Sequence, residues 1–287
     1  EDTGLYPTHG EGSFCTASGA GRDTSTVGAE KRENPVFGYP DATAFARGQL
    51  AVLQPYPRYY AHMGPANLYG PTPLPDPSAA ELSADEAAAL AAESGVRVID
   101  ARPRDAFAAG HIPGALGVEL ANDFGVWVGW LVPFNAPLLL VLDPAQEARE
   151  AIVQLGRIGY DRVRGVLRDM PAWQASGRPT ASYRPVDVAT FAAAVAGGEA
   201  AQTLDVRSPA EREAHVLPGS TYRYVPDLVD GAPAELDRAL PVWVACASGY
   251  RATIAAGLLE RDGYSPIVLS RGGVPDVLAR LPAPAPA

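Results

Sequence analysis

The chain has 287 residues, of which 47% are hydrophobic and 20% charged, with a formal net charge of -10. That length suits two domains better than one, at roughly 100–200 residues per domain, and the composition is that of a globular protein rather than a disordered one. The acidic balance argues against nucleic acid or an anionic membrane as partner, because like charges repel.

Two cysteines, Cys15 and Cys246, are too few for a disulfide framework and fit a reducing, cytoplasmic setting. The sequence opens at Glu1 with no basic-then-apolar leader, so no signal peptide is expected.

Prolines mark the first boundary. "GPTPLPDPS" (70–78) cannot continue a helix or a central strand and closes a first part, 1–75. Beyond it, "SADEAAALAAES" (83–94) predicts a helix with a serine cap, and "VRVID" (96–100) a short strand. "GVWVGWLVPFNAPLLLVL" (125–142) is uncharged over about the length of a membrane span. A proline inside a helix costs about 3 kcal/mol, so Pro133 and Pro137 make this segment a loop followed by a buried strand, "PLLLVLD" (137–143). "QEAREAIVQLGRIGY" (146–160) returns to helical spacing. "SGRPTASYRP" (176–185) closes a second part, about 79–178. A third, about 184–283, runs through "PVDVATFAAAVAGG", "AQTLDV", "LPVWVAC", "GYRATIAAGLLERDGY" and "SPIVLS" before an "LPAPAPA" tail that is expected to fray. The alternation predicts an α/β fold, with parallel sheets flanked by helices.

The second and third parts repeat one another. "VIDARPRDAFAAGHIPGA" from Val98 answers "TLDVRSPAEREAHVLPGS" from Thr203, so Asp100, Arg102 and Gly114 recur as Asp205, Arg207 and Gly219. "LGRIGY" (155–160) answers "LERDGY" (259–264), while His111 and His215 fall slightly out of step.

Chemistry concentrates in "CASGYR", residues 246–251. Cys246 follows an apolar strand, and Ala247, Ser248, Gly249 and Tyr250 turn into a helix whose N–H groups and dipole favour an anion. Such a setting makes a thiolate, the nucleophilic form, available. Gly249 allows the backbone to curl, and Arg251 is a permanent cation able to hold the loop or an oxyanion. The competing reading is a buried core thiol. Four residues between Cys246 and Arg251 make a smaller ring than the Cys-loop-Arg cradle of cysteine phosphatases, which favours one added sulfur over a phosphoryl group. In the first repeat, "LVLDPAQEAR" sets Asp143 where the cysteine is expected, followed by Pro144, so that copy is expected to be silent.

Both repeats resemble the rhodanese domain: "LDVR…PG" with "CASGYR" looks like an active copy, and the Asp143 copy an inactive one, over about 79–283. The resemblance implies a sulfurtransferase cycle in which Cys246 takes sulfur from thiosulfate, glutathione persulfide or another small persulfide and passes it to a thiol or cyanide, with no cofactor. Asp205 and Arg207 are then a structural pair beneath the loop. A second resemblance lies in "LYPTHGEGSFC", "STVGAEKRENP" and "PYPRYYAHMGPANLYGP", similar to the closing section of the metallo-β-lactamase-fold domain in bacterial persulfide dioxygenases fused to rhodanese domains. That family holds Fe2+ with two histidines and an aspartate. Only His9 maps onto such a ligand, so no metal is expected in this chain alone, and iron only in an intact dioxygenase domain. Cys15 is read either as a persulfide holder near that iron or as a small apolar filler. The alternative function is a persulfide relay or sensing module of the longer fusion. A homo-oligomer and a missing amino-terminal domain both stay open as partners.

Overall fold

The structure is a computed structural model describing residues 1–6, 24–51, 53, 55–70, 73 and 76–282. His9 and Cys15 lie outside these residues. The chain divides into two compact units, Glu1–Tyr56 and Pro57–Ala287.

In the first unit, β1 (Gly4–Leu5) pairs antiparallel with β2 (Ser25–Thr26). Helix α1 (Val27–Glu33) is capped by the Thr26 hydroxyl, which accepts from the Ala29 N–H, and α2 (Ala42–Ala51) follows. Gly28 is the one buried residue among the described residues of this unit.

The second unit begins with α3 (Tyr60–Tyr69), preceded by Tyr59, which is buried in the main core. The first repeat then runs β3 (Glu81–Leu82), α4 (Ala84–Ala91), β4 (Arg97–Asp100), α5 (Arg104–Ala109), β5 (Leu116–Gly117), α6 (Phe124–Leu131), β6 (Leu138–Val141), α7 (Ala148–Gly156), β7 (Val163–Leu167) and α8 (Met170–Ala175). The second repeat runs β8 (Arg184–Val186), α9 (Val188–Gly197), β9 (Thr203–Asp205), α10 (Pro209–Ala214), β10 (Thr221–Tyr222), β11 (Val242–Ala245), α11 (Tyr250–Arg261), β12 (Pro266–Leu269) and α12 (Val274–Leu278).

Each repeat forms a five-stranded parallel sheet, in the orders β3-β7-β6-β4-β5 and β8-β12-β11-β9-β10. Counted from the first strand of each repeat, the two orders are identical. The continuous apolar runs have their cause here: all four residues of β6 and all four of β11 are buried, as parallel strands covered on both faces require. Ser83 caps α4, as its sequence predicts, and also closes a capping box with Glu86.

Two expectations need correction. The stretch after residue 124 is not a loop: Phe124–Leu131 forms α6, which ends before Pro133 reaches the helix, and the proline penalty falls on the connection to β6 instead. Among the described residues no helix is long and apolar enough to cross a membrane. The second correction concerns register. Val141 pairs with Asp100 and Ala245 with Asp205, so the residue after each strand is Leu142 and Cys246. Leu142, not Asp143, stands in the place of the cysteine.

One hydrophobic core passes through both repeats. It joins Ile99, Phe107, Leu116 and Leu140 of the first to Leu204, Val244, Ile254 and Leu258 of the second. Helix α11 lies at its centre, with every residue from Ala252 to Leu259 buried. A Cβ at Gly257 would stand 2.8 Å from the Ala115 carbonyl of the first repeat, so a glycine is what allows the two repeats to pack this closely. A smaller core, including Phe191, Trp243 and Val277, fills the opposite face of the second sheet.

Candidate active site

Strand order reverses between β9 and β11: the chain leaves β9 for β10 on one side and β11 for β12 on the other. A crevice at the carboxyl ends of such strands is where open α/β sheets collect ligands. Cys246 leaves β11 at that point.

The sulfur of Cys246 accepts a hydrogen bond from the Gly249 N–H at 3.1 Å. Gly249 has φ 89°, in the left-handed region, and a Cβ there would stand 2.1 Å from the Ser270 carbonyl oxygen. The position is closed to other residues by both conformation and space. Behind the loop, the Val274 N–H donates to the Cys246 carbonyl at 3.0 Å. Cys246 is fully buried, Gly249 is buried, and Ala247 and Ser248 are exposed above the sulfur.

Arg251, on the first turn of α11, reaches Glu211 on α10, with Nη1 donating to Oε2 at 2.5 Å and Nη2 to Oε1 at 2.7 Å. Glu211 also closes a capping box with Ser208. The Arg251 hydrogen bond is the main reason the Glu211 carboxyl is held down at about 2. Burial works against the charge on Arg251, but Glu211 and the Cys246 sulfur more than offset it and raise the guanidinium above its ordinary value.

Asp205 and Arg207 lie one layer deeper. Both are buried, with Nε donating to Oδ1 at 2.9 Å and Nη2 to Oδ2 at 2.6 Å, and Arg207 also donates to the His215 carbonyl. Asp100 and Arg102 make the same contacts at the same 2.9 and 2.6 Å, with Gly110 in place of His215. His215, exposed, therefore matches Gly110 rather than His111. His111 is buried between the Phe107 carbonyl and the Glu260 carboxylate, each at 2.8 Å.

The loop is also held by the first repeat, through residues with no signal in the sequence. Arg104 of α5 donates to the Ser248 carbonyl at 2.7 Å, and the Tyr250 hydroxyl donates to the Glu119 carbonyl at 2.8 Å. Burial, with Glu119 and Asp123 nearby, pushes the Tyr250 phenol above its ordinary range and keeps it a donor. Glu211 is a further contact absent from the sequence reading, although the S-x-x-E spacing from Ser208 is a capping-box signal that marks it.

Among the described residues no group of three His, Cys, Asp or Glu side chains could hold a metal ion. The described residues do not supply the iron triad of the second resemblance, and His9 lies outside them.

A family model described as Rhodanese-like domain matches residues 83–176 and 187–280, well over half of the chain. No curated protein matches it. Among solved structures, it is similar to a metallo-beta-lactamase from Staphylococcus aureus subsp. aureus COL, at 25% identity and a TM-score of 0.41 over 57% of this chain. The chain spans 45% of that protein's length. It is also similar to a Rhodanese-like domain protein from Staphylococcus aureus, at 17% identity and a TM-score of 0.29, over 31% of this chain and 86% of the other. A rhodanese-related protein from Thermoplasma volcanium matches at 24% identity and a TM-score of 0.28, over 35% of this chain and 96% of the other. On the strength of the two family-model matches, the chain belongs to the Rhodanese-like domain family, a sulfurtransferase-type family, and carries two such domains in tandem.

Proposed function

We propose that the protein is a sulfurtransferase in which Cys246 carries sulfane sulfur as a persulfide. The carrying observation is the Gly249 N–H aimed at the Cys246 sulfur at the head of a 12-residue helix, where a donor and the helix dipole both favour negative charge on sulfur. The Cys246 thiolate attacks the outer sulfur of thiosulfate. A new S–S bond forms, the old one breaks, and sulfite leaves with the electron pair. A thiolate or cyanide acceptor then attacks the outer sulfur of the Cys246 persulfide and departs as a persulfide or thiocyanate, returning the Cys246 thiolate. Glutathione persulfide or another small persulfide serves as donor by the same exchange, with a thiolate leaving. No cofactor takes part, and a reducing compartment keeps the thiol free. Arg251 and Glu211 fix the first turn of α11, and Asp205 with Arg207 holds the β9–α10 connection.

Complete burial of Cys246 under the Ala247–Ser248 turn favours a second reading, a relay that loads sulfur and hands it to a protein partner with little turnover on small molecules. Mass spectrometry after thiosulfate or glutathione persulfide treatment, followed by steady-state assay with cyanide, tests both. Gain of one sulfur at Cys246 with sustained thiocyanate release supports the transferase. Gain of sulfur without release supports the relay. No gain of sulfur rejects both.

A further inference from the structure

Arg104 and the Cys246 sulfur touch the two ends of one peptide group. The Ser248 carbonyl and the Gly249 N–H belong to a single planar trans peptide, so they point in opposite directions. Arg104 donates to that carbonyl at 2.7 Å, and the N–H of the same peptide donates to the Cys246 sulfur at 3.1 Å. Whatever fixes one end of the peptide aims the other. A cation on the carbonyl also polarises the amide and strengthens its N–H as a donor.

Arg104 is itself anchored. Its Nε donates to Glu119 Oε2 at 2.9 Å, and Nη1 lies 3.4 Å from the Ser270 carbonyl, the group packed against Gly249. The carbonyl of the same Glu119 accepts from the Tyr250 hydroxyl. The residues on both sides of Gly249 are thus held from α5 and from the segment just after β5, elements of the repeat that has leucine in place of the cysteine.

We propose that Arg104 is a positioning residue for the reaction at Cys246: by binding the outer face of the Ser248–Gly249 peptide it directs the inner face at the sulfur, so the repeat without a nucleophile sets the geometry of the one that has it. This rests on the sulfurtransferase reading for its kinetic consequence, but not for its structural one.

The test compares R104A, R104K and E119Q with the wild-type full chain, each checked for folding by circular dichroism. Removing a donor outright from an anion-stabilising site lowers kcat by about 100-fold or more, and misaiming it does less. For R104A, kcat for thiosulfate-to-cyanide transfer falls about tenfold while KM for thiosulfate stays within about twofold. The Gly249 amide proton, assigned in a nitrogen-15 correlation spectrum, moves upfield as its bond to sulfur weakens. R104K, which keeps a cationic donor, recovers most of both. E119Q leaves Arg104 in place with a weaker anchor and moves the Gly249 resonance in the same direction by less. A rise in KM with kcat unchanged assigns Arg104 to donor binding and overturns the proposal, as does a Gly249 resonance that stays in place. A wild-type protein without transfer activity rejects the proposed reaction, while the resonance still decides what Arg104 does.

Discussion

Leu142 and Cys246 hold the same place in two sheets of identical strand order, each next to a residue paired with the buried aspartate of the neighbouring strand. Both are fully buried. They differ in the chain just beyond them. After Cys246 the chain enters α11 within four residues, and Gly249 turns its N–H onto the sulfur. After Leu142 it spends five residues before α7, and the Asp143 N–H is taken by the Gln146 side chain at 2.7 Å.

Transplanting the thiol alone should therefore fail. In a C246S background, L142C is expected to gain no sulfur from thiosulfate, while the C246S parent loses transfer entirely. Intact-protein mass spectrometry after donor treatment reads both. Loading at position 142 would mean that the strand end suffices without the loop.

Gly249 and Gly219 share a left-handed backbone, at φ 89° and 70°, but differ in their surroundings. A Cβ at 219 meets nothing within 4 Å, whereas one at 249 would meet the Ser270 carbonyl at 2.1 Å. G219A should cost about 1–2 kcal/mol, the left-handed penalty alone. G249A should exceed it by at least about 1 kcal/mol, because backbone must shift, and should abolish transfer. Urea midpoints of the two variants give the comparison.

Glu211 makes stability depend on acid. Its carboxyl lies at about 2 in the folded chain against an ordinary 4.5, so folding favours the ionised form. That stabilisation is complete above about pH 4.5 and disappears as pH falls towards 2. E211Q should be less stable than wild type at neutral pH, with the gap closing across this interval. Parallel urea titrations at a series of pH values would show it, and a gap independent of pH would assign the loss to packing.

At Gly257 two effects compete. Exchanging a helix-interior glycine for alanine should stabilise by about 1 kcal/mol, but the new methyl carbon would stand 2.8 Å from the Ala115 carbonyl. Overpacking a filled interior costs about 1–3 kcal/mol. G257A is expected to lower the urea midpoint, and a rise would show that the two repeats can part there freely.

Much of this molecule is legible in its sequence for physical reasons that can be named. Runs such as "PLLLVLD" and "PVWVA" admit few structures besides buried parallel strands, and Ser83 with Glu86 marks a helix start. The loop from Cys246 to Arg251 is contiguous and carries its own turn signal at Gly249. The features that escaped depend on partners distant in sequence or on signals that point only one way. Helix α6 was hidden because Pro133 and Pro137 argue against a helix without saying that one ends just before them. The Leu142 register slipped because an apolar run ending in aspartate offers no internal mark of where pairing stops. Arg104 and Glu119 have no local pattern at all. They matter only because α11 brings the second repeat against α5 and β5.

Helix α11 is interior to both copies at once, with Gly257 against the Ala115 backbone and the run from Ala252 to Leu259 closed off from water. A fragment starting near residue 180 would keep the cysteine, the arginine and the whole sheet around them, yet it would bare the side of α11 that β5 covers. The portion that repeats in the sequence is smaller than the portion that shares one interior. Grafting the reactive copy onto another protein as a self-sufficient module would leave behind part of its own interior.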